Sequence, residues 1–76
     1  MTRDAHSLIL RAELLLQQGR FPDAERELGQ LLSNDPRHPL AHAMMAHAML
    51  GQLRLNDAEY AAREAVRSAP DEAFAH

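Results

Sequence analysis

The sequence predicts an all-α protein in which antiparallel helix pairs stack as a short α-solenoid, and three observations carry that expectation. The chain resembles itself at a spacing of 34 residues. Within each copy the apolar residues recur at helical intervals. No stretch alternates apolar and polar residues between turn signals, as a half-buried strand would.

Sliding the sequence along itself by 34 positions brings Ala12 onto Ala46, Leu16 onto Leu50, Gln18 onto Gln52 and Arg20 onto Arg54, and the run Asp23, Ala24, Glu25 onto Asp57, Ala58, Glu59. Pro36 meets Pro70, and Ala41 and His42 meet Ala75 and His76. The register never slips. A period of this length belongs to stacked supersecondary units, none of which buries its own apolar face without a neighbour. Residues 1–76 are therefore expected to form one domain, with a first repeat over about 5–38 and a second over about 39–72. Residues 73–76 would open a third repeat or a capping helix.

The first helix is expected to start after Asp4 as N-cap, with Ala5, Leu8, Ile9, Ala12, Leu15 and Leu16 on one stripe. Gly19 interrupts it. A second helix is expected to begin with Pro22 at its first position, where the missing N–H costs nothing, and Asp23 and Glu25 lie near the positive end of its dipole. Ala24, Leu28, Leu31 and Leu32 share one face, and the helix should stop before Pro36, because the residue preceding a proline is pushed out of the α region.

A third helix should open with Pro39 and run through Leu40 to Leu50, apolar almost all round and so buried on several sides. The fourth is expected from Asn56 as N-cap, through Ala58, Ala61, Ala62, Ala65 and Val66, with Glu59 and Arg63 one turn apart on the outside. It should end before Pro70.

Period, helix pairing and these positions together resemble the tetratricopeptide repeat. In the first copy the family's second-helix alanine looks like Ala24, its interhelical glycine like Gly19, its aromatic like Phe21 and its closing proline like Pro36. Ala12 and Ala46 match the small residue of the first helix. The second copy departs from the pattern, with Leu53 in place of the glycine, Leu55 in place of the aromatic, and Gly51 two residues early. The family's tryptophan position holds Leu8 in one copy and His42 in the other.

The resemblance implies a right-handed superhelix whose first helices line a concave groove for peptides or partner helices. Carried over by position, that groove would be lined by His6, Ile9, Glu13 and Gln17, and by Leu40, Ala43, His47, Leu50 and Gly51. Some members clamp a C-terminal carboxylate with Lys and Asn. The corresponding places here look like Ile9, Glu13 and Met44, so that ligand is not expected.

Composition narrows the function further. At 76 residues there is room for one core, and with 46% apolar but only 4% aromatic residues it must be packed from Leu, Met and Ala. The absence of Cys excludes disulfides and thiolate metal sites. The net charge is −3, and the eight cationic side chains, all Arg, form no cluster that would neutralise a run of phosphates, so nucleic acid is not an expected partner. No signal peptide or membrane span is read, and a cytoplasmic location is expected.

No constellation supports catalysis or a cofactor. His38, His42 and His47 invite a metal reading, but His38 falls in the turn before Pro39. His42 and His47 are five apart, well over a right angle around a helix. Packing is the expected use of His42. Glu25 and Glu64 are expected on outer helix faces as solvated charges rather than as an acid/base pair. Met44, Met45 and Met49 are expected to fill the core rather than to form an adaptable surface. Neither a glycine-rich phosphate loop nor a serine beside a predicted base is present.

Leu10 and Leu14 lie opposite the core stripe of the first helix, where an N-terminal repeat has no preceding neighbour. They are expected to form a homo-oligomeric contact or to pack on another domain. The expected function is a protein-binding adaptor without cofactor. The alternative is a regulatory or oligomerising N-terminal piece of a longer enzyme or membrane protein whose activity lies elsewhere.

Overall fold

The computed structural model describes residues 4–68. Four helices follow one another through short turns: α1 (Ala5–Gln17), α2 (Phe21–Asn34), α3 (Pro39–Gly51) and α4 (Leu55–Ser68). The described residues contain no strand. Pro70 and the expected third-repeat fragment at 73–76 lie outside the described residues.

Each helix starts for a local reason. At α1 the Asp4 carboxylate accepts a hydrogen bond from the Ser7 N–H at 2.8 Å, the N-cap expected from sequence. That bond, together with the Ser7 hydroxyl, holds the Asp4 carboxyl below its ordinary pKa. At α3 the cap is His38, whose Nδ1 accepts from the Ala41 N–H at 3.2 Å, which requires the tautomer with its proton on Nε2. His42 turns back so that its Nε2 lies 2.7 Å from the Pro36 carbonyl and donates to it.

Two starts differ from expectation. α2 begins at Phe21, so Pro22 is its second residue. α4 begins at Leu55, which places Asn56 inside the first turn rather than at the cap. The reason is common to both. Arg20 and Arg54 occupy the cap positions, their carbonyls accepting from Ala24 and Ala58 at 3.1 and 2.9 Å. The guanidinium of each binds the aspartate three residues on, Nε to Oδ2 at 3.0 Å in both repeats.

The two interhelical turns are also copies of each other. After α1 the Gly19 N–H reaches the Leu16 carbonyl and the Arg20 N–H the Leu15 carbonyl. After α3 the Leu53 and Arg54 N–H groups reach Leu50 and Met49 in the same way. This double bond pattern is the Schellman motif and requires a left-handed residue in the turn. Gly19 has φ 74° and Leu53 has φ 59°. A leucine there costs roughly 1–2 kcal/mol, because its Cβ crowds the following carbonyl. Its side chain is 82% exposed and recovers little of that. Leu53→Gly is therefore expected to stabilise the fold by about 0.5–1 kcal/mol after the extra backbone entropy of glycine is subtracted. Urea titration followed by circular dichroism checks this, and a loss of stability would contradict it.

All four helices contribute to one core. Leu8, Ala12 and Leu16 from α1 and Ala24, Leu28 and Leu31 from α2 join Ala41, Met44, Met45 and Ala48 from α3, with Ala61 from α4. The two methionine neighbours fill the interior as expected, and Met49 packs partly against it. Ala12, Ala24, Ala41 and Ala48 are fully buried, so the helices approach closely at small residues while Leu8 and Leu28 supply most of the volume. Ala5, expected on the core stripe, is exposed at the first position of α1. Glu27 lies in this interior and binds Arg11 of α1 at 2.8 Å. Period places Met45 and Ala61 at the equivalent positions of the second repeat, so an ion pair in one hairpin is an apolar contact in the other.

Candidate functional site

The helices α1 and α3 touch each other, and each presents a stripe at helical spacing. His6, Ile9, Glu13 and Gln17 on α1 stand 34 residues before Leu40, Ala43, His47 and Gly51 on α3, with Leu50 beside the last. All are exposed except Ile9, which is half-buried and packs on the core. The combined surface carries three apolar side chains of some size, Ile9, Leu40 and Leu50, around Glu13, His6 and His47.

Phe21, the first residue of α2, underlies this surface. Its ring lies 6.3 Å from that of His47, tilted by 45°. The tip of the same ring occupies the space that a side chain on Gly51 would need, since a Cβ there would fall 2.5–2.6 Å from three ring carbons. Gly51 thus has a packing reason. Sequence reasoning placed Phe21 as the aromatic of the repeat but not beside His47. The signal available was its position directly after the turn, where an aromatic side chain can reach the end of the next repeat's first helix.

A polar clasp joins the repeats next to it. Glu25 Oε1 accepts from Gln52 Nε2 at 3.1 Å and from Arg54 Nη1 at 2.9 Å. Gln52 also donates to the Ala48 carbonyl. Hydrogen bonds from Arg54 to Asp57 first, and then to Glu25, raise the guanidinium pKa above its ordinary value. This corrects the expectation that Glu25 is a solvated outer-face charge, because it is half-buried in the seam between repeats. Glu64 is corrected too, being largely covered and bound to Arg67 at 3.2 Å. Glu59 and Arg63 do form the expected exposed pair, at 3.3 Å.

A family model described as tetratricopeptide repeat matches residues 3–48 and, in a second alignment, residues 15–76. The chain belongs to the tetratricopeptide repeat family. No curated protein and no solved structure matches it.

Tetratricopeptide repeats generally mediate protein–protein interaction and are typically non-catalytic. In these two repeats the places where the family pattern is kept and where it is broken both have a structural account. Gly19 and Leu53 take the same backbone conformation despite their different residue types. The glycine displaced to position 51 admits the Phe21 ring. Two of the three histidines that invite a metal reading are used locally: His38 caps α3 and His42 binds the Pro36 carbonyl. Among the described residues no three His, Asp or Glu side chains gather as a metal-holding group, and no helix is long and apolar enough to cross a membrane. Leu10 and Leu14 are 52% and 54% exposed on α1.

Proposed function

We propose that this chain is an adaptor that binds a segment of another protein along the face formed by His6, Ile9, Glu13 and Gln17 of α1 and Leu40, Ala43, His47, Leu50 and Gly51 of α3. The observation that carries this reading is the exposure of two period-related stripes on adjoining first helices, the position at which tetratricopeptide repeats bind peptides. Ile9, Leu40 and Leu50 suit apolar anchors at helical spacing, and Glu13 suits a basic residue among them. No cofactor, nucleic acid or catalytic step enters. Six arginines already stand beside carboxylates: Arg11, Arg20, Arg26, Arg54, Arg63 and Arg67. This supports the reading without nucleic acid, as does the scatter of these pairs over α1, α2, α4 and the two interhelical turns. A cytoplasmic location belongs to the same reading.

Selection from a displayed library of amphipathic peptides, followed by titration of the best binder, tests it. Glu13→Arg and His47→Glu should each weaken binding at least about tenfold, whereas Leu10→Glu, on another face of α1, should leave it unchanged. Affinities within about twofold of one another for all three variants would overturn the groove assignment.

The alternative, an oligomerising or regulatory domain of a larger protein, is favoured by one observation, the exposure of Leu10 and Leu14. Leu10→Glu with Leu14→Glu would then change molecular mass or domain packing while peptide binding stays as it was.

A further inference from the structure

The seam between the two repeats is written a second time on α1 and α4, the outermost of the described helices. Within the chain, Glu25 of α2 accepts from Gln52 and Arg54 of the following repeat, and Met44 and Ala48 of α3 are buried. Moving back by one period, Gln52 becomes Gln18, Arg54 becomes Arg20, Met44 becomes Leu10 and Ala48 becomes Leu14. These four are exposed. Arg20 also holds its own aspartate as Arg54 does, through Nε at 3.0 Å and Nη2 at 2.8 Å. Where Nη1 of Arg54 meets Glu25, the described residues place no carboxylate on Nη1 of Arg20.

Moving forward by one period gives the other half. Glu25 becomes Glu59, Phe21 becomes Leu55, Leu28 becomes Ala62 and Leu32 becomes Val66. All four lie exposed on α4, Leu55 at 60% and Val66 at 55%. One end thus carries the cationic and amide donors of the clasp, and the other carries its acceptor. The apolar sizes are complementary as well. Leu14 is larger than Ala48 on the α1 end, and Ala62 and Val66 are smaller than Leu28 and Leu32 on the α4 end, so the summed volume stays close to that of the seam already present.

We propose that a second copy of this chain docks head to tail, with Glu59 of one copy received by Gln18 and Arg20 of the next, and Leu10 and Leu14 packed on the Leu55, Ala62 and Val66 stripe. Because the two surfaces differ, the contact is heterologous, and each addition leaves a new free end of each kind. Association is therefore open-ended rather than limited to a dimer.

Sedimentation of the 76-residue chain, from about ten micromolar to about one millimolar, reads this directly. The weight-average mass should climb from 8.5 kDa without levelling at twice that value. Glu59→Arg, at an exposed position, should weaken association at least about tenfold while the circular dichroism spectrum is retained. Arg20→Glu should do the same, and the double variant should regain association because the two charges have then changed places across the contact and attract again. Should Arg20→Glu fail to fold, Glu59→Arg and a cross-linking arm still decide the matter. The chain has no cysteine, so a bismaleimide should yield a ladder from the chain carrying both Arg20→Cys and Glu59→Cys. A chain that stays monomeric overturns the proposal. So does a dimer that Leu10→Glu dissolves and Glu59→Arg does not, the mark of a two-fold contact. Association that is indifferent to Glu59→Arg overturns it too.

Discussion

Leu28→Ala is expected to remove about 3–5 kcal/mol, a large part of the stability of a chain this size. Leu28 is fully buried, and α2 is the helix that packs on both α1 of its own repeat and α3 of the next. Leucine-to-alanine changes at such sites cost roughly 2–5 kcal/mol, and the upper half applies where surrounding helices cannot collapse into the space. Here the neighbours are already held at close approach by fully buried alanines, so little relaxation is open to them. A domain of this size has of the order of 4–11 kcal/mol in total. Thermal and urea unfolding should show one shifted transition for both repeats, because a single core spans them. A second transition, or a loss below about 1 kcal/mol, would contradict this. Leu14→Ala, at an exposed position, serves as the control and should lie within about 0.5 kcal/mol of the parent.

Gly51→Ala should destabilise the chain by about 1–2 kcal/mol even though it replaces glycine by the best helix former. Alanine in the last turn of α3 would ordinarily gain up to about 1 kcal/mol. The new methyl, however, would sit 2.5–2.6 Å from three carbons of the Phe21 ring, and overpacking of that kind costs roughly 1–3 kcal/mol. The ring meets Gly51 with its tip, so the methyl is accommodated only if the ring moves, at the expense of its present packing and its approach to His47. The sign of the effect should therefore depend on residue 21. In a Phe21→Ala background the same Gly51→Ala change should become stabilising, and the double-mutant cycle should report a coupling of at least about 1.5 kcal/mol. Equal effects in both backgrounds would show that the ring is not what Gly51 accommodates.

The elements of the fold were legible because two independent signals agreed on them. The 34-residue period placed the helices, and Gly19, Pro36 and Pro39 punctuated them. Asn56 misled because cap preference is a statement about isolated side chains. The cap of α4 is set instead by Arg54, which is tied to Asp57 within the helix and to Glu25 outside it. That second bond spans 29 residues, and no local pattern reports it. Glu27 was legible in principle, since it lies three residues after Ala24 on the buried face of α2, but only the packing of α1 brings Arg11 to it. The stripes on α1 and α3 followed from helical spacing and the resemblance. The role of Gly51 did not, because it depends on a ring from another repeat.

A core made of leucine, methionine and alanine has an optical consequence. Among the described residues no aromatic ring is fully covered, Tyr60 is already two-thirds in water, and the chain has no tryptophan. Intrinsic fluorescence and near-ultraviolet dichroism will therefore register little when this interior assembles or dissolves. Phe21 is the exception by location, and an indole introduced there would make the joint between the two hairpins visible on its own.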